Sequence, residues 1–172
     1  QLLSPLNEDQ LEIFASILIR TDLKKNALLF KEGQISDQIG YVYKGMVRQF
    51  YYKNNRELTE HFACNGSMFI CIESFLRQKP TPLKVEAIEP SVVYGIPYHP
   101  LEELSKEYYE IGLLYRKMLE ASLILSQRKA DSIRFESARE RYERLLKNNP
   151  EIIRRAPLSQ IASLLEMTPE TP

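Results

Sequence analysis

This chain is poor in the residue types that usually build covalent, metal-held or redox sites. Among 172 residues it has two cysteines, Cys64 and Cys71, and two histidines, His61 and His99. A single C-x₆-C pair does not staple a domain of this size. An iron–sulfur cluster usually asks for four thiolates, and a zinc site would need partners that the two histidines do not obviously supply. Ser67 and Cys71 have no evident histidine beside them to make a nucleophile. The expectation is therefore no catalytic residue, no metal site, no cofactor and no enzyme, with the two thiols serving as small apolar residues in a sheet.

Other absences narrow the class further. No apolar run approaches the roughly 18–20 residues that cross a bilayer. The N-terminal residues show neither a basic leader nor an apolar signal core, which gives the expectation of a cytoplasmic protein with no membrane partner. Net charge is zero, but it is unevenly spread: residues 1–115 carry 12 basic and 15 acidic side chains, residues 116–172 carry 11 and 8. The modest basic excess of the C-terminal part suits a polyanionic partner, and equally a solvated surface.

What is present comes in three styles. Asn7-Glu8-Asp9-Gln10 reads as an N-cap with a capping-box Gln, opening a short helix with Leu11, Phe14, Ile17 and Leu18 on one face and an end near Arg20. From Leu23 the period changes to short runs of β-branched and aromatic residues: 28–30, 41–43, 47–52, 57–63, 85–87 and 92–96. Gly33, Gly45, Asn65-Gly66 and Glu89-Pro90 separate them, and Lys53-Asn54-Asn55-Arg56 is a hairpin turn, because Asn tolerates positive φ. Strands at this spacing predict a β-sandwich or barrel, with a double-sheet roll as the preferred form, and His61 is read as a strand residue on its surface.

From Leu101 to Lys147 there is no Pro and one Gly, Gly112. Ile111, Leu114, Met118, Ala121, Leu125 and the stem of Arg128 recur at helical spacing and form one apolar face, read as a dimer seam, with burial in the helix's own domain as the alternative; Leu113, Leu119, Leu123 and Ile124 form a second strip. Ser137 with Glu140 is a capping box. It divides the stretch into a helix over about 101–134, a hinge near 132–137, and a second helix over 138–148 that Asn148-Asn149-Pro150 stops. Leu158, Ile161, Ala162, Leu164 and Leu165 then mark a short amphipathic helix, with Ala162 small enough for close approach. Thr168 caps a further helix with Pro169 at its first position, which is the helix-turn-helix outline.

This order of parts resembles the Crp/Fnr family of bacterial transcription regulators over nearly the whole chain. The resemblance rests on Phe30-Lys31-Glu32-Gly33, Tyr43-Lys44-Gly45-Met46-Val47-Arg48 and the strand from Glu57 to Ala63. It rests also on Ser137-Ala138-Arg139-Glu140-Arg141-Tyr142, on Ile161-Ala162 and on Met167-Thr168-Pro169-Glu170-Thr171. The last string is the most specific, and its form is most similar to a branch common in Bacteroidetes-type bacteria. The resemblance implies an α+β chain: a cyclic-nucleotide-binding-like β-roll (jelly-roll-like) over 1–100, a long dimerisation helix and hinge over 101–136, and a partial winged helix-turn-helix over 137–172. It implies a homodimer on a double-stranded DNA operator, RNA polymerase as a further partner, and an unidentified small-molecule effector.

Two departures limit what carries over. The phosphate-binding cassette would span Gly66 to Leu83, with an effector pocket of Phe69, Ile70, Cys71, Ile72, Glu73, Ser74, Pro82 and Leu83. Nucleotide binders of the family place Gly-Glu after Phe-Ile and an Arg-Ser or Arg-Thr pair further on. Here Cys71-Ile72 follows Phe69-Ile70, and Pro82-Leu83 stands at the Arg-Ser positions. A buried phosphate needs a cation or backbone N–H donors, and Pro82 has neither. A one-residue slip would bring Glu73 to the Glu position, while Arg77 and Lys79 belong to the outer loop. Neither cyclic AMP nor cyclic GMP is therefore the expected ligand; a less polar effector and an effector-independent regulator both stay open. The second departure is at Thr168, Pro169, Glu170 and Thr171, the expected DNA-reading residues, which Pro172 follows where the family continues with a Ser-Arg pair. Glu166 also stands where the turn often has Gly; Glu in the left-handed region costs about 1 kcal/mol. Two readings of another class remain: a ligand-binding or dimerisation module without DNA binding of its own, and a cupin-like metalloenzyme, which wants several facing histidines that this chain lacks.

Overall fold

Alternating apolar runs fold here into two four-stranded antiparallel sheets, in a computed structural model that describes residues 6–167. Helix α1 (Glu8–Ser16) opens on the Asn7–Gln10 capping box, both of whose bonds form. It ends earlier than expected, because strand β1 (Ile19–Leu23) already pairs there with the last strand of the roll. Strands β2 (Leu28–Phe30), β3 (Gln38–Lys44), β4 (Met46–Lys53) and β5 (Arg56–Cys64) follow, then β6 (Met68–Phe69), helix α2 (Ile72–Arg77), β7 (Lys84–Ala87) and β8 (Ser91–Pro97). One sheet has the order β1-β8-β3-β6, the other β2-β7-β4-β5. The β4–β5 hairpin turns on Asn54 and Asn55, both at positive φ. Strand β6 and helix α2 are too short to show a period, and were not expected.

Between the sheets lies a core that includes Leu23, Val42, Val47, Ala63, Phe69, Val85 and Val93. Gly40 is required there: a Cβ on it would sit 2.0 Å from Cζ of Phe69. Strand β4 breaks the half-buried pattern, since all of Met46–Phe50 is buried. Val47 and Gln49 face the roll interior, while Met46 faces outward under the C-terminal helices and Arg48 shares that outer face by alternation. Arg48 is 1 % exposed. Its guanidinium donates to Glu86 (3.0 and 2.5 Å), Glu57 (2.5 Å) and Thr59 (3.3 Å) and lies 4.1 Å from the Phe50 ring centroid. A buried cation is tolerable only with such partners.

The expected long helix is interrupted. Helix α3 (Tyr98–Glu107) ends at Tyr108, which has extended backbone (φ −119, ψ 113), and α4 (Tyr109–Phe135) starts afresh. The lone glycine of the stretch explains the close turn: a Cβ on Gly112 would be 3.1 Å from the Ser105 carbonyl oxygen of α3. Helix α4 has 27 residues, about 40 Å of length. Its first turns are core, with Ile111 and Leu114 at 0 % exposure and Met118 at 6 %. They pack with Phe14, Ile39, Phe75, Ile96 and Leu101. This corrects the expected dimer seam: Ile111, Leu114 and Met118 are covered by their own roll and have no surface left for a partner. Ala121, Leu125 and Arg128 remain exposed in the single chain.

At Glu136 the backbone is extended (φ −102, ψ 140), which ends α4 within the stretch 132–137 expected as a hinge, and α5 (Ala138–Asn148) starts on the Ser137–Glu140 capping box. Pro150 both stops α5 and occupies the first turn of an unexpected helix, α6 (Pro150–Arg155), where its missing N–H is not needed. Helix α7 (Leu158–Leu164) buries Ile161 and Ala162, but Leu158 is exposed. A Schellman motif closes α7: Met167 N–H donates to Ala162 O (2.9 Å) and Glu166 N–H to Ser163 O (3.2 Å). Glu166 takes the left-handed position at φ 52. Thr168, Pro169, Glu170 and Thr171 lie outside the described residues.

The C-terminal helices dock on the outer face of the second sheet. Ile152, Ile161 and Leu165 pack on Met46, Phe62 and Ile88. On the edge strand, Thr59 N–H donates to Ser163 Oγ (2.8 Å), which donates to Glu57 O (3.0 Å). Arg155 pairs with Glu89.

Candidate effector-binding site

The inner face of β4 and β5 sets the floor of a cavity beside the cassette. Gln49 stands opposite His61, just as Val47 stands opposite Ala63, so all four share the face turned to the interior. His61 is thus half-buried on the interior-facing side of the sheet and not on the roll's outer surface, which corrects the sequence expectation. The clue was available in the alternation with Ala63. Its Nε2 is buried and has no hydrogen-bond partner. Burial, with the Lys129 ammonium adding to it, pushes its pKa from 6.5 down to about 4, so the ring is neutral at pH 7.

Around this floor is a cavity of about 760 Å³, within the range of small-molecule sites. From the cassette it is lined by Ile70, Ile72, Pro82 and Leu83. Four other cassette residues have different places. Phe69 and Cys71 belong to the core. Ser74 is buried and structural, its hydroxyl accepting from Ser36 N–H (2.9 Å) and donating to Lys79 O (2.5 Å). Glu73 is exposed and 3.7 Å from Arg77 on the outer surface of α2, so it does not supply a carboxylate to the cavity. Arg77 and Lys79 are likewise exposed. Pro82 leaves the cassette wall without a cation at the place where the resemblance implies one.

Neither thiol is poised for chemistry. Burial pushes both Cys64 and Cys71 up, and Cys71 Sγ accepts from Gln49 Nε2 at 3.3 Å. No group of three or more His, Cys, Asp or Glu suited to a metal occurs among the described residues, and no described helix is long and apolar enough to cross a membrane.

The remaining walls come from outside the roll. Helix α4 contributes Ser122, Leu125, Arg128, Lys129, Ser132 and Ile133 among others, α5 to α7 contribute Arg141, Arg144, Ile152 and Leu164, and Leu165 follows α7. Lys129 donates to the Glu60 carbonyl (2.7 Å) and pairs with its carboxylate (3.0 Å). Arg144 pairs with Glu136 (3.0 Å), and Arg141 donates to the carbonyls of Leu165 and Glu136 (2.9 and 2.7 Å). Leu125 and Arg128, expected at a dimer seam, therefore also face this space.

A roll with a cassette between its sixth and seventh strands, closed by a following helix, matches one sequence family. The profile of the cyclic nucleotide-binding domain covers residues 20–108, just over half of the chain. The chain belongs to the cyclic nucleotide-binding domain family. Its similarity to solved structures extends through the C-terminal helices. FixK2 from Bradyrhizobium japonicum superposes with a TM-score of 0.73 at 19% identity, over 90% of this chain and 80% of that one. The catabolite activator protein of Thermus thermophilus gives 0.64 at 19%, over 98% and 81%. CLP of Xanthomonas campestris, described as a c-di-GMP-responsive global regulator, gives 0.67 at 19%, over 95% and 87%. At these identities the likeness shows a shared fold, that of Crp/Fnr regulators. A search of curated protein sequences returns no match. This member of the cyclic nucleotide-binding domain family keeps the roll and cassette frame while presenting Ile70, Ile72, Pro82 and Leu83 to the cavity.

Proposed function

We propose that this protein is a cytoplasmic, homodimeric, DNA-binding transcription regulator of Crp/Fnr type that does not respond to cyclic AMP. One observation carries the reading. Helix α4 leads from the core of the roll to the helix break at Glu136, and the capped α5 and the Schellman-closed α7 follow directly before Thr168. A roll alone would need none of these. Dimerisation is carried by the exposed strip of α4: Leu123 (66 %), Ile124 (52 %) and Phe135 (80 %) remain open in the single chain, with half-buried Leu113 and Leu119 beside them. Two-fold pairing along this strip would set two recognition helices near the ~34 Å repeat of successive major grooves. Thr168, Pro169, Glu170 and Thr171 would open the reading helix, Glu170 accepting from a cytosine amino group. RNA polymerase is the further partner of such a regulator. No residue in this scheme is catalytic.

The cavity touches the roll, α4 and the C-terminal helices, so an occupant would bias the relation between the dimer seam and the DNA-reading parts. The cassette argues against a cyclic nucleotide. Calorimetry with cyclic AMP and cyclic GMP should show no binding tighter than about 100 μM. The DNA-binding claim is tested with the gene-length protein, by selection from a random duplex pool followed by fluorescence anisotropy at two salt concentrations. Sequence-selective binding that weakens steeply with salt is expected. Absence of any selected sequence would leave a ligand-binding or dimerisation module instead.

A further inference from the structure

The cavity is chemically two-sided. Its roll side is apolar, with Ile70, Ile72, Leu83 and Leu125 around neutral His61 and Gln49. The side formed by α4 and α5 holds four cations, Arg128, Lys129, Arg141 and Arg144, among apolar side chains such as Ile133, Leu145 and Leu165, against the single lining carboxylate of Glu60. Lys129 and Arg144 are balanced by Glu60 and Glu136. Arg141 is held by backbone carbonyls alone, and Arg128 takes part in no ion pair among the described residues. Positive charge on that side is therefore only partly neutralised within the chain. Along α4 the lining runs from Ser122 to Ile133, about 16 Å, long enough for a chain-like body as well as a charged head.

We infer that this cavity binds an amphipathic anion, with its apolar body on the cassette and its carboxylate-like head on Arg128 and Arg141 on the α4–α5 side. The inference deepens the effector role proposed above. A cyclic nucleotide would present its anionic phosphate to the cassette, where Pro82 offers neither a charge nor an N–H. A ligand turned end for end meets cations where its charge is, and desolvates an apolar body where the wall is apolar. Because Leu164 and Leu165 also line the space, such a ligand touches the helix-turn-helix directly.

The test uses the 172-residue chain and three probes of one length, octanoate, 1-octanol and octylammonium, each titrated by calorimetry. Octanoate is expected to bind at least tenfold more tightly than either of the others. Arg128→Gln, at an exposed position, should weaken octanoate at least fivefold and leave octanol unchanged. Ile72→Ser should weaken octanoate and octanol alike. Equal affinity for octanoate and octanol, tighter binding of octylammonium, or no binding of any of the three would overturn the inference. These titrations contain no DNA, and the DNA measurements contain no ligand. A failure here is thus distinct from a failure of the regulator reading.

Discussion

Two sets of substitutions on one helix separate what α4 does for its own chain from what it does for a partner. The double substitution Leu123→Glu, Ile124→Glu replaces side chains that are 66 % and 52 % exposed. Complete burial of a Leu or Ile is worth about 1.5–3 kcal/mol, so the exposed part of each could still contribute about 1 kcal/mol or slightly more. With two such residues on each protomer the seam loses about 4–6 kcal/mol, a factor of roughly 10³–10⁴ in the dimer dissociation constant. The chain's own stability should change by less than about 0.5 kcal/mol, because neither side chain is in its core. Leu114→Ala is the counterpart: at 0 % exposure it should cost about 2–5 kcal/mol of folding stability while leaving the surviving folded fraction dimeric. Light scattering behind a sizing column gives the mass, and urea unfolding of each variant, compared at protein concentrations low enough for the parent to be monomeric, gives the stability of the chain itself. A Leu123→Glu, Ile124→Glu protein that stays dimeric at micromolar concentration would refute the reasoning. So would a Leu114→Ala protein that becomes monomeric without losing stability.

Further predictions concern single residues. Arg48→Met should cost about 3 kcal/mol, since it leaves Glu86 and the half-buried Glu57 without their cation; adding Glu86→Gln should return part of that loss in denaturant titrations. The low pKa of His61, about 4, means that the unfolded chain takes up a proton near pH 6.5 that the folded chain refuses until about pH 4. Stability should therefore fall as pH drops through that window, by at most about 3 kcal/mol, and should be insensitive to this group above it; His61→Gln should flatten that part of the profile. Glu166→Gly should raise the midpoint of thermal unfolding, relieving about 1 kcal/mol of left-handed strain, provided the Schellman turn unfolds with the rest.

How much of this could be read beforehand depended on whether the signal was local. Capping boxes at Asn7 and Ser137 and the Asn54-Asn55 turn are decided within four residues, and they sit where their chemistry puts them. The roll followed from strand spacing alone. The break at Tyr108 did not, because it depends on α3 coming close enough to α4 to need Gly112. The seam residues show the same limit from another side. Helical spacing says that Ile111, Leu114 and Met118 share an apolar face, but not whether a partner or the chain's own sheet covers it. In the candidate site, Ile70, Ile72, Pro82 and Leu83 were recognisable from motif alignment, yet the cavity's cationic side was not. Arg141 and Arg144 lie some 60 residues further along than the cassette, and only the docking of α6 and α7 on β5, with α5 packed against α6, brings them to it. Arg48 was missed for a similar reason: a charged residue in mid-strand reads as solvent-facing until a second layer is known to lie on top.

That second layer bears on how far the two halves of the chain can be treated as interchangeable parts. Strand β4 is a party wall, with Val47 and Gln49 furnishing one room and Met46 and Arg48 the other. A chimera that kept this roll but took its C-terminal helices from elsewhere would have to carry partners for Met46, Phe62 and Ile88 as well, or leave an apolar patch open to aggregation. Exchanging rolls between chains built this way thus requires cutting through the outer face of a sheet, not merely through the helix break at Glu136.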